Sequence, residues 1–134
     1  MKRLLTITAI IEAATGVGLL AAPAVLAQLL LGGTLDTPAA LTVARVGGAA
    51  LFALGVACWL AASDARSCAA RGVVSAMVLY NLGAALVLGA AGIRSHLAGI
   101  GLWPAVILHA VMTVWCLTTL VRQPATLPQA IHTD

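Results

Sequence analysis

Four strongly polar side chains interrupt otherwise apolar stretches of this sequence: Glu12, Arg45, Asn81 and His109. Glu12 and His109 form the pair best able to exchange a proton. Together they could serve as acid and base toward a lipid-like substrate, or as a proton relay. Arg45 carries a planar fork that matches a carboxylate or phosphate, so it could hold an anionic head group. Asn81, with Tyr80 beside it, brings an amide that can both donate and accept. The alternative reading of the same residues is structural: an Arg45–Glu12 ion pair, completed by Asn81 and His109, that fixes helix order and register.

The elements that must position these residues follow from composition. Of 134 residues, 62% are hydrophobic and 8% charged, where soluble domains carry about 25% charged residues. That excludes an ordinary water-soluble enzyme and, by the same measure, a disordered chain. A net charge of +3 from scattered basic residues gives no nucleic-acid stripe. A bilayer-crossing helix needs about 20 apolar residues, and four stretches qualify: Leu4 to Ala22, Ala39 to Ala62, Val73 to Ile93, and Leu97 to Val121. The expected fold is an all-α membrane protein, a four-transmembrane-helix bundle spanning 1–122. A cytoplasmic tail follows at 123–134, where Pro124, Pro128 and the lack of apolar period predict loose order. Pro23 breaks the first stretch, so 23–31 is predicted as a short extra helix, re-entrant or interfacial.

Orientation follows from basic residues in short loops. With both termini cytoplasmic, Lys2, Arg3, Arg66, Arg71 and Arg122 lie inside and Arg94 outside. Trp59 and Trp115 then fall near the inner boundary and Trp103 near the outer one. The basic start, with Val25-Leu26-Ala27 ahead of Gln28, also resembles a signal peptide. The apolar run is too long for one, and Glu12 sits in its middle, so it is read as a helix. At about 1.5 Å per residue, Glu12, Asn81 and His109 all reach about 12 Å from the inner face, with Arg45 about 9 Å below the outer one. Three helices thus bring polar groups to one layer. Two stripes support it, Thr8-Glu12-Thr15 and His109-Thr113-Cys116, and Thr42 accompanies Arg45.

Small-xxx-small pairs at Ala14/Gly18, Ala44/Gly48 and Ala85/Gly89 predict close helix contacts. With 13 Gly, one Phe and one Tyr, the expectation is a tight bundle with little interior volume. No cofactor is implied. His96, His109 and His132 fall outside, within and inside the membrane, and neither HExxH nor CxxC occurs, so no metal site is assigned. A haem on His109 conflicts with the small-residue packing. Cys58, Cys68 and Cys116 fall toward the cytoplasmic side, where thiols stay reduced. Cys58 and Cys116 could approach each other there as small packing residues. Gly16-Val17-Gly18 and Gly99-Ile100-Gly101 follow no strand, so they read as helix contacts or loops.

Several stretches carry a family resemblance: Pro23-Ala24-Val25-Leu26, Leu29-Leu30-Leu31-Gly32, Ala44-Arg45-Val46-Gly47-Gly48, Leu54-Gly55 and Cys58-Trp59-Leu60, then Leu79-Tyr80-Asn81 and Leu102-Trp103-Pro104-Ala105-Val106-Ile107-Leu108-His109. Together they resemble uncharacterised small four-helix integral membrane proteins of proteobacteria and, more distantly, DoxX-like membrane proteins. The resemblance spans about Leu4 to Val121 and is most specific around Arg45, Tyr80-Asn81 and Trp103 to His109. It implies a bacterial inner (cytoplasmic) membrane location and, through the DoxX-like link, a role beside redox or stress enzymes.

Three functions fit these readings. The first is a non-catalytic accessory subunit or small-ligand binder built on Glu12, Arg45, Tyr80, Asn81 and His109. The second is an intramembrane enzyme using Glu12 and His109. The third is an oligomeric proton or small-solute carrier. The expected partners are the lipid bilayer, other membrane subunits or a second copy of the chain, and no nucleic acid.

Overall fold

The computed structural model describes residues 1–122; the tail at 123–134, with His132, lies outside the described residues. Five helices follow one another: α1 (Lys2–Ala21), α2 (Pro23–Leu31), α3 (Pro38–Ser63), α4 (Cys68–Arg94) and α5 (Leu102–Arg122). No strand occurs among the described residues. All except α2 are long and apolar enough to cross a membrane. Their outward faces carry large apolar side chains, among them Val43, Leu79, Val87 and Ile107, each more than 60% exposed. Water would not tolerate such a surface, whereas lipid is indifferent to it.

Local chemistry sets the helix ends. Pro23 occupies the first turn of α2, where its missing N–H costs nothing, and the chain turns at Ala22 before entering it. Gly32 ends α2 in the left-handed region at φ 72°, a conformation glycine adopts without a Cβ penalty. Thr37 and Ser67 cap α3 and α4 by accepting from the N–H groups of Ala40 and Ala70, each at 3.1 Å. Two boundaries differ from the sequence reading. The third span begins at Cys68 rather than Val73, because Ser67 supplies a cap that apolar periodicity does not register. The fourth begins at Leu102 rather than Leu97, because the glycine-containing segment before it makes a loop.

The bundle is two antiparallel pairs. In the first, α1 and α3 touch backbone to backbone. A Cβ on Gly16 would stand 2.5 Å from the Phe52 nitrogen and 2.7 Å from the Gly48 carbonyl oxygen, and one on Gly55 2.8 Å from the Ala13 nitrogen. In the second, α4 and α5 are joined by side chains, and the Arg71 guanidinium donates to the Leu120 carbonyl at 3.5 Å. Of the three small-residue pairs expected at interfaces, only Gly48 marks the α1/α3 seam. Gly18 meets Leu26 of α2 instead, and nothing lies within 4 Å of a Cβ built on Gly89. Spacing alone does not say which face of an apolar helix meets protein.

The two pairs join through a core confined to one end, the end bearing Lys2. Leu4, Leu5 and Ala9 of α1 meet Cys58 and Ala62 of α3, Ala70, Val74 and Met77 of α4, and Met112 and Cys116 of α5. These are the first half of α1 and α4 and the last half of α3 and α5, as an up-down-up-down path requires. At the opposite end the pairs do not close on each other.

Candidate functional site

Where the pairs diverge, α2 lies across the gap. Its far end is tied to the loop before α5, where the Gly101 N–H donates to the Leu29 carbonyl at 2.9 Å. A Cβ on Gly99 would fall 2.4 Å from the carbonyl carbon and oxygen of Leu30, so only glycine lets this loop and α2 approach so closely. Gly99-Ile100-Gly101, read from sequence as loop or helix contact, is thus the seat of α2. Beneath α2 is a partly enclosed cavity of about 430 Å³. Small-molecule sites run about 300–1,000 Å³. The expectation of little interior volume is therefore overturned: glycines close the α1/α3 seam but do not pull the two pairs together.

Leucine is the commonest residue of the cavity wall, including Leu26, Leu29, Leu30 and Leu31 from α2 and Leu88 from α4. The polar lining comes from Glu12, Thr15, Tyr80 and His109. Glu12 is 4% exposed, and Tyr80 lines the same wall. Tyr80 meets the His109 ring edge-on, with centroids 5.6 Å apart at 84°. The Asn81 amide Nδ2 donates to the Met77 carbonyl at 2.8 Å, and its Oδ1 lies 2.8 Å from His109 Nδ1. The Thr113 hydroxyl donates to the His109 carbonyl at 2.8 Å. Asn81 of α4 and His109 of α5 are thus joined directly, and Tyr80 and Glu12 of α1 share the cavity wall with His109.

Glu12, Tyr80 and His109 meet at the cavity wall with Asn81 bonded to His109, within about one helical turn of a common depth. At the Lys2 end α4 starts five residues earlier than the sequence reading, while α5 ends within one residue of it. Asn81 and His109 rise together to about 20 Å from that end, and Glu12 stands at about 15 Å. Arg45 does not join them. It is exposed on α3, and no ion pair with Glu12 occurs among the described residues. The helical rotation of α3 is set by the Gly48–Gly55 face pressed on α1, which turns Arg45 away while Ala44 lines the cavity.

The stripes behave similarly. Thr8 and Glu12 are buried and Thr15 lines the cavity, while Thr113 and Cys116 are buried below His109. Thr8 Oγ1 has no hydrogen-bonding partner among the described residues. Cys58 and Cys116 are buried in the shared core and Cys68 is exposed, all three as free thiols. No group of three His, Cys, Asp or Glu side chains able to hold a metal occurs among the described residues. In comparisons with protein-family models, curated proteins and solved structures, nothing matches this chain.

What sequence reasoning did not reach is the contribution of α2 and the loop before α5. The available signals were a proline-initiated apolar segment too short to span and a Gly-x-Gly in the last loop. Neither signal says that the two segments meet.

Proposed function

We propose that this chain is a small multi-pass binding protein of the bacterial inner membrane that holds one amphiphilic molecule in the cavity beneath α2. It acts alone or as a non-catalytic subunit of a larger membrane assembly. The observation that carries this reading is the apolar cavity with Glu12, Tyr80 and His109 gathered on its wall, since pockets of that make-up are where small ligands are received. The charge bias supports cytoplasmic termini: Lys2, Arg3, Arg66, Arg71 and Arg122 cluster at the Lys2 end of the bundle.

Native mass spectrometry of protein released gently from membranes tests the binding. A one-to-one adduct is expected for the unaltered chain and not for Ala105→Phe, which places a ring in the cavity without touching the α1/α3 seam. No adduct on either protein, with added long-chain amphiphiles also failing to bind, overturns the reading. The exposed Cys68 reports topology, because an impermeant maleimide should label it only after spheroplasts are broken.

An enzymatic reading is favoured by one feature, the presence of Glu12 and His109 on the same cavity wall. It requires turnover of the bound molecule, and Glu12→Gln would then abolish turnover while the adduct persists.

A further inference from the structure

The hydrogen bonds around the cavity specify more than its size. Asn81 Nδ2 donates to the Met77 carbonyl, which can only accept, so the amide orientation is determined. Its Oδ1 is then an acceptor, and His109 Nδ1, 2.8 Å away, must carry the proton. In the neutral ring this leaves a lone pair on Nε2 as the one hydrogen-bonding function His109 can offer to the cavity it lines. Tyr80 and Glu12 line the same wall, offering a phenolic oxygen that can accept as well as donate and a carboxylate. The Gly101 N–H, at the rim, is already spent on the Leu29 carbonyl. Among the described residues, the wall includes neither Lys nor Arg. Its charged and ring-nitrogen groups, the Glu12 carboxylate and His109 Nε2, are thus acceptors, with Thr15 and Tyr80 adding hydroxyls that can also accept. Even a protonated Glu12 leaves the wall with neither a Lys nor an Arg, among the described residues, to receive a carboxylate or phosphate.

Resting on the binding reading above, the geometry points to a ligand whose head donates hydrogen bonds. It is an apolar molecule ending in a hydroxyl or an amine, with that group received between the Glu12 carboxylate and Nε2 of His109. An anionic head group, which Arg45 would have held, has no place in the cavity, since Arg45 is exposed on α3. The preference arises because a donor head satisfies acceptors that are otherwise withdrawn from water, whereas an acceptor-only head leaves them unpaired.

Equilibrium binding to the full chain in nanodiscs, with empty discs subtracted, tests this with four probes of equal chain length: 1-dodecanol, dodecylamine, dodecyl methyl ether and dodecanoate. The alcohol or the amine should bind at least about tenfold tighter than the ether and the carboxylate. Which of the two leads distinguishes a neutral from a cationic head. His109→Gln, which can still pair with Asn81, should narrow the gap between alcohol and ether. Equal binding of alcohol and ether, or tightest binding of dodecanoate, overturns the head assignment while leaving the cavity reading standing. Failure of all four to bind overturns the cavity reading itself.

Discussion

The seam between α1 and α3 and the space between α1 and the α4/α5 pair solve the same problem in opposite ways. At the first, glycines let two backbones touch, with Gly16, Gly48 and Gly55 each leaving no room for a Cβ. The gain is dispersion contact and buried surface at the closest separation helices can reach. The consequence is an interface with no volume and no polar group at the Gly16–Gly48 crossing. At the second, side chains hold the helices apart, closing as a core at the Lys2 end and leaving about 430 Å³ at the other. Buried polar groups can be satisfied there, as Asn81 is by His109 and the Met77 carbonyl. A membrane bundle made entirely of the first kind of contact would be stable and empty of chemistry. One made entirely of the second would lack a rigid frame. In this chain the rigid pair presents Glu12 to the looser one.

That contrast can be broken at several points. The largest effect should come from Gly16→Val, where the added carbons meet the backbone of Phe52 and Gly48, which cannot yield. A loss of about 3 kcal/mol, the upper end of ordinary overpacking costs, is expected, measured by reversible unfolding in mixed micelles. Gly83→Val is the matched control, because nothing lies within 4 Å of its Cβ, and it should cost far less. An equal loss in both would mean that the α1/α3 seam is not special.

Gly99→Val should act next, and locally. It pushes α2 off the loop and breaks the Gly101–Leu29 hydrogen bond, worth about 1 kcal/mol net. Amide exchange in α2 should therefore quicken by at least about fivefold, with the α1/α3 amides unaffected. Exchange that rises throughout the bundle would show that α2 is part of the frame rather than a cover over the cavity.

The smallest stability effect should come from Asn81→Leu. Hydrogen bonds between membrane helices average about 0.6 kcal/mol and reach about 1.7, so unfolding should shift by about that amount. The sharper readout is ligand choice. Without the Asn81 oxygen, His109 Nδ1 loses the partner that holds its proton, and the preference for the alcohol over the ether should fall. A selective protein that lacks Asn81 would separate the Asn81–His109 pair from the site.

Much of this was legible in the residues themselves. Four long apolar stretches broken by Gly, Pro, Ser and Asp determine four crossings, because unpaired backbone in lipid admits little besides helices. The alternating direction of successive helices then brings Glu12, Asn81 and His109 within about one helical turn of the same depth, since rise per residue is a property of every helix. Pro23 marks α2 as a separate piece because a proline cannot continue the hydrogen-bond ladder before it.

Rotation about each helix axis and the separation between axes belong to the tertiary structure alone. Every face of an apolar helix reads alike when lipid and protein interior are equally oily. No periodicity therefore told Arg45 from Ala44, or Gly48 from Gly89. The seating of α2 on Gly99 and Gly101 joins segments far apart in the chain, and the cavity beneath it is what remains after the packing of all five helices is settled.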